Sequence, residues 1–287
     1  MNLTDQPNQS IALPHGFASI HPDPEGVVHF IGGYFFGSGV SCWYKTLLDS
    51  LQQRFTVHSY SYSFAQLSHW TIAKDLLEQI EQVKQAGIKT AKQMGYNPKI
   101  YTDPSKHCLV GHSLGCECIG LIRFLGFDKN KQIQILEAAR HQLGAKIVTD
   151  LDFSDVKALP QLQSVPYRAS LLMAPCFKTP TAVSWLLQVR PQQDLVRYLI
   201  QQNPQLLSLT SLLSFKGDTI AGPDVGWCQP VLKSQGSLQS SHEIDDIHHP
   251  YWIALQYHMI PAFDPIRSRL AAYAADFIGN LVNSSTP

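Results

Sequence analysis

The five residues Gly111-His112-Ser113-Leu114-Gly115 constrain this chain more than any other segment. They follow the apolar run Cys108-Leu109-Val110 and precede a helix-like stretch, Cys116 to Phe124. A strand that turns at once into a helix around a central serine holds that serine in a strained conformation, and the crowding leaves room only for glycine on either side. In such a turn, a nucleophile elbow, the serine oxygen lies over the first N–H groups of the helix, where developing negative charge is stabilised. A pattern this short arises by chance in roughly one chain of this size in ten, so the surrounding sequence has to carry the argument.

Before the elbow, short apolar runs alternate with amphipathic stretches. Val27 to Ile31 ends at Gly32-Gly33 and reads as a buried strand. Trp43 to Phe55 reads as a helix with Leu47, Leu48 and Leu51 on one side, Phe55 to Tyr62 as a strand, and Trp70 to Ala91 as a helix through Ile72, Leu76, Ile80, Val83 and Ile88. After the elbow, Lys131 to Leu143 reads as a helix, Ala169 to Pro175 and Leu206 to Phe215 as strands, and Ile266 to Leu281 as an amphipathic final helix. This alternation predicts a mostly parallel sheet with helices on both faces.

Residues 1–25 are polar and punctuated by proline and read as an N-terminal extension, so the sheet is expected to lack its first one or two strands. Residues 26–287 then form one domain with insertions at about 127–168 and 177–205. The second insertion, carrying Trp185 and Leu199, is expected to supply a small helical cap.

A serine hydroxyl becomes a nucleophile when a base takes its proton and a carboxylate orients that base. Ser113 is the candidate nucleophile. In the chain order that goes with this elbow the acid comes next, and Asp218 stands where the Leu206 to Phe215 strand opens into a loop. Four histidines follow it: His242, His248, His249 and His258. His242 is the choice, because the spacing from Asp218 admits a helix and a strand and because it follows the short strand candidate Ser237 to Ser241; His258 is the strongest rival. The oxyanion needs two convergent N–H groups. Leu114 supplies one, and the loop Gly32 to Gly37 the other, at Tyr34 or alternatively at Gly33. Gly33, Phe35 and His112 are expected to contact substrate, and the aromatic run Tyr34-Phe35-Phe36 favours an apolar acyl or prenyl group.

Together, Gly32-Gly33 after a strand, the Ser113 elbow, Asp218 and His242 resemble the α/β-hydrolase superfamily over about residues 27–281. Val28 to Gly37 and Phe215 to Ile220 are similar to a hydrolase-like family of cyanobacteria and plastids. The resemblance implies the α/β-hydrolase fold and a serine hydrolase activity. It departs from the commonest pattern in having Gly32 where a histidine is usual. The function read from the sequence is hydrolysis of a carboxylic ester through an acyl-enzyme, as a serine esterase; the alternatives are a non-catalytic binding protein on the same fold and an acyltransferase.

Composition narrows the partners. The 22 basic and 22 acidic side chains cancel, which argues against a nucleic-acid footprint. The six cysteines lack zinc-ligand spacing, and no metal or cofactor is called for. With no signal-like N-terminus and no apolar run of about 18 residues, a cytoplasmic setting is expected, with a small-molecule or lipid ester as the partner and membrane contact left open.

Overall fold

The computed structural model describes residues 9–13, 16–34, 36–63, 66, 68–158, 167, 169–177, 189–244 and 267–283. Its centre is an eight-stranded sheet. The strands are β1 (Gln9–Leu13), β2 (Gly16–Ile20), β3 (Val27–Ile31), β4 (Thr56–Tyr60), β5 (His107–His112), β6 (Ala169–Met173), β7 (Thr210–Phe215) and β8 (Leu238–Ile244). Their order across the sheet is β1-β2-β4-β3-β5-β6-β7-β8. β1 and β2 pair antiparallel, and β2 pairs antiparallel with β4; every pair from β4 through β8 is parallel.

Residues 9–20 are therefore part of the sheet, and the expected truncation of the sheet and the reading of residues 1–25 as an extension beyond it are both corrected. The two strands, QSIAL and GFASI, are short and rich in small and polar residues, which hides them from a periodicity argument. Pairing of Phe17 with Ser59 and Ala18 with His58 supplies what the local sequence lacks.

The helices are α1 (Val40–Trp43), α2 (Lys45–Leu51), α3 (His69–Gln93), α4 (Leu114–Leu125), α5 (Lys129–Leu143), α6 (Asp150–Ala158), α7 (Gln193–Gln202), α8 (Gly222–Ser234) and α9 (Arg267–Asn283). α2 and α9 pack together over one face of the sheet, against Val28, Phe30, Cys108, Val110 and Leu213. α3 and α4 pack on the other face. α3 starts at the N-cap Ser68, whose side chain accepts from the Thr71 N–H, and buries Ile72, Leu76, Ile80 and Val83 at helical spacing. Every residue of α4 is buried, which places the helix after the elbow in the middle of its layer.

Of the expected cap, only Phe177 and residues 189–205 fall within the described residues. α7 buries Leu195, Val196, Leu199 and Ile200, and Ile200 lies against Gly120 of α4, so Leu199 belongs to the helical layer beside α4. Trp185 lies outside the described residues. The helical cover at the start of α3 comes from the first insertion: Trp70 Nε1 donates to Asp152 and Ser68 Oγ to Asp155, both on α6, and Arg190 joins Asp155.

Inside the sheet, on the α3 face, three histidines meet. His29 and His58 are direct cross-strand partners on β3 and β4, and His107 opens β5. His107 Nε2 lies 3.1 Å from the Ile100 carbonyl, which only accepts, so that nitrogen carries the proton. His107 Nδ1 then accepts from His29 Nε2 at 2.9 Å, and His29 Nδ1 accepts from the Tyr60 hydroxyl at 2.7 Å. The chain of donors closes with His29 and His107 both neutral. Burial drives all three imidazoles down, reinforced by the neighbouring histidines at His29 and His58 and by the Lys84 charge at His107: His58 to about 3, His107 to about 4 and His29 well below its ordinary value. Neither ring nitrogen of His58 has a hydrogen-bond partner among the described residues. No group of three or more His, Cys, Asp or Glu among the described residues is placed to hold a metal ion.

Candidate active site

β5 ends at His112 and α4 begins at Leu114, so a single residue, Ser113, makes the turn. Its φ of 55° and ψ of −120° are strained for a residue with a Cβ. Three backbone bonds hold it there: the Ser113 N–H donates to the Met173 carbonyl at 3.0 Å, and its own carbonyl accepts from Cys116 N–H at 3.0 Å and Cys176 N–H at 3.3 Å. The flanking glycines are required by contact. A Cβ on Gly115 would lie 2.2 Å from the Ile31 carbonyl oxygen, and one on Gly111 2.7 Å from the Cys116 nitrogen. The Cys116 thiol donates to the Gly111 carbonyl beneath the turn, and burial holds it well above the usual thiol range, so it is a structural group and no competitor of Ser113. The Leu114 N–H, first in α4, has no acceptor within the helix.

The acid candidate sits as the sequence reading expects. β7 ends at Phe215, Gly217 turns with φ 81°, and Asp218 follows, 7% exposed. Its Oδ1 accepts from the Ile220 and Ala221 N–H groups at 2.9 and 3.0 Å, which fixes the carboxylate at the C-terminal edge of the sheet, the edge that also carries Ser113.

His242 is not where a base must be. It does not follow a strand; it lies within β8, directly opposite Leu213 of β7, with its ring 4.4 Å from that of Tyr273 and 6.5 Å from that of Phe277, both on α9. β8 is three strands from β5, about 14 Å between strand axes, which is more than two side chains can bridge within the plane of the sheet. The assignment of His242 as base is therefore corrected. The strand runs three residues further than its polar sequence suggests, because the edge strand β8 needs only one buried face. His248, His249 and His258 lie outside the described residues.

The loop after β3 also differs from expectation. The Gly33 N–H donates to the Tyr44 hydroxyl at 2.9 Å, so Gly33 is not an oxyanion donor, and Tyr34 remains the candidate. His112, expected to contact substrate, is 1% exposed, with Nδ1 2.8 Å from the same Tyr44 hydroxyl. Phe35 lies outside the described residues. Phe36 is half-buried and packs edge-on against Trp43, which is 40% exposed at the mouth of this loop. Sequence reasoning missed Tyr44, whose spacing from Leu47, Leu48 and Leu51 marks it only as one more apolar helix residue.

Two further buried acids lie near the elbow. Glu117, one turn into α4, bonds His69 Nδ1 at 2.7 Å with both side chains 1% exposed; burial raises the Glu117 pKa and His69 opposes that rise. Asp224 accepts from Phe177 N–H, Gln193 Nε2 and the Arg197 guanidinium, and so ties α7 and α8 to the end of β6. No sequence signal links these partners, which are 27 to 48 positions apart.

Solved structures share this architecture. A candidate carboxylesterase from Lactobacillus plantarum superposes with a TM-score of 0.58 at 13% identity, over 96% of this chain and 99% of that one. A sugar hydrolase from Lactococcus lactis gives 0.54 at 13% identity, over 96% and 98%. Carboxyl esterase 2 from the mycorrhizal fungus Tuber melanosporum gives 0.51 at 12% identity, over 96% and 87%. At these identities the likeness shows the fold, which is that of the α/β-hydrolases. No curated protein matches the sequence. A family model described as protein of unknown function, DUF1350, matches residues 14–172, more than half of the 287, and the chain belongs to that family.

Proposed function

We propose that this protein is a serine hydrolase that cleaves a carboxylic ester through an acyl-enzyme. One observation carries the reading: Ser113 is held at φ 55° between β5 and the N-terminus of α4, on the sheet edge where the buried Asp218 follows β7. An ester carbonyl over that turn receives Ser113 Oγ, and its oxygen takes hydrogen bonds from the Leu114 and Tyr34 N–H groups. The serine proton passes to a histidine and then to the departing alkoxide; water repeats the sequence to release the acid, and an alcohol or thiol in place of water makes the same step an acyl transfer. With His242 excluded, chain order leaves the base to His248, His249 or His258, oriented by Asp218.

The substrate class we infer is an apolar acyl or prenyl ester, of small-molecule or lipid origin. Tyr34, Phe36 and Trp43 support this by forming an aromatic margin to the loop that supplies the oxyanion donor. The resemblance to cyanobacterial and plastid proteins supplies no substrate. Among the described residues no helix is long and apolar enough to cross a membrane, and for the setting we keep the expectation of a cytoplasmic protein.

A fluorophosphonate probe tests the reading directly, because it reacts only with a serine activated by its base. The wild type should be modified at Ser113 and the Ser113→Ala variant not at all. A folded wild type that stays unmodified would favour the non-catalytic binding protein.

A further inference from the structure

We propose that Tyr44 is a positioning residue of this site: its hydroxyl, bridging the Gly33 N–H and His112 Nδ1, locks the loop that presents the Tyr34 N–H to the elbow that presents Ser113. The proposal rests on the serine hydrolase reading and adds to it the device that sets the spacing of the two oxyanion donors.

The hydroxyl has one proton to give. Gly33 N–H donates to it, and in the proposed bridge its own proton goes to His112 Nδ1, which sets the ring proton of His112 on Nε2. Tyr44 is fully buried, and burial raises its phenol above the ordinary range, so the group stays a donor wherever the protein is folded. The loop and the elbow touch: a Cβ on Gly33 would lie 3.0 Å from Ser113 Cβ and 3.2 Å from His112 Nδ1, and a Cβ on Gly32 would lie 2.8 Å from the Tyr44 ring. A Cβ on Gly32 would push the Tyr44 ring away, and one on Gly33 would crowd the elbow. From the other face of the sheet the Tyr62 hydroxyl donates to the Gly32 carbonyl at 2.8 Å. Two buried tyrosines hold Gly32-Gly33 from opposite sides, one by its carbonyl and one by its N–H, and the Tyr34 N–H is the next donor along the chain.

The oxyanion forms only once the carbonyl is attacked and is absent from the bound ground state, so a group that aligns its donors acts on kcat and leaves ground-state binding unchanged. Tyr44→Phe removes one oxygen atom and keeps the ring. It should lower kcat and the fluorophosphonate labelling rate roughly 10- to 100-fold with KM unchanged, short of the 10²–10³ that loss of a donor itself costs. A variant that labels and turns over at the wild-type rate overturns the role of Tyr44 and leaves the hydrolase reading standing; a wild type that does not label overturns both. Should Tyr44→Phe fail to fold, nitrogen chemical shifts of the wild-type His112 ring decide. Nδ1 unprotonated and Nε2 protonated between pH 6 and 8 is the required state, and a proton on Nδ1 overturns the bridge.

Discussion

Tyr60 on His29 and Tyr44 on His112 make the same hydrogen bond on opposite faces of one sheet. The first, 2.7 Å, lies in the middle of the strands on the α3 side and ends inward, through His107 to a backbone carbonyl. The second, 2.8 Å, lies at the C-terminal edge on the α2 side and ends at the loop and the elbow of the candidate active site. The inner chain contains no strained residue. At the outer one, Ser113 is held at a positive φ by three backbone bonds. A buried tyrosine–histidine pair therefore says little by itself; what it is joined to determines whether it serves the core or the site.

The largest test of that contrast removes the reacting oxygen. Ser113→Ala should lower ester turnover on the order of 10⁶-fold, as loss of a nucleophile does in serine proteases. Its denaturant unfolding curve should stay within about 0.5 kcal/mol of wild type. A variant keeping more than a few per cent of turnover sinks the assignment.

Acid should attack the inner cluster first. His29, His58 and His107 have folded-state pKa values below those of the unfolded chain, so the unfolded state binds more protons as pH falls. Their contribution is complete above about pH 6.5 and is lost as pH falls through that value towards 4, at up to about 1.4 kcal/mol per pH unit for each histidine. Unfolding free energies measured from pH 8 to 4.5 should show this slope; a flat profile would mean that the cluster is hydrated or already charged.

Gly115→Ala probes the strained side. Its Cβ meets the Ile31 carbonyl, part of β3, so the elbow or the strand must shift, and a loss of about 3 kcal/mol together with loss of labelling is expected. An alanine variant with wild-type melting temperature and reactivity would show that the crowding relaxes.

The smallest effect separates satisfied from unsatisfied members of the cluster. His58 has no partner for either ring nitrogen among the described residues, so His58→Leu should leave stability at pH 7 unchanged or raise it by about 1 kcal/mol, and remove about a third of the acid slope. A marked loss of stability would mean that the ring nitrogens are bonded through water.

The parts of this molecule that were legible in the sequence are those whose cause is local. Gly111 and Gly115 around Ser113 announce a turn that only glycines permit, and the helical spacing of Ile72, Leu76, Ile80 and Val83 announces α3. Asp218 is read correctly as a loop aspartate because Gly217 and the end of β7 are its immediate neighbours. β1 and β2 are not legible, because Ser, Ala and Gly in short strands carry no pattern until β4 pairs with them. His242 is misread for a related reason: His242-Glu243 looks like the end of the polar strand candidate Ser237 to Ser241, and only the ladder with β7 makes it strand.

By itself, then, the sequence determined the alternation of strands and helices, the elbow and the loop aspartate after β7, since each follows from side-chain size, backbone freedom or apolar spacing within a few residues. Tertiary structure alone decided that His29, His58 and His107 share one pocket, that His242 faces Tyr273, and that Tyr44 joins Gly33 to His112. These are pairings between residues from 11 to 78 positions apart, and hydrogen bonds and ring contacts at such separations depend on strand order and register, which no local pattern encodes.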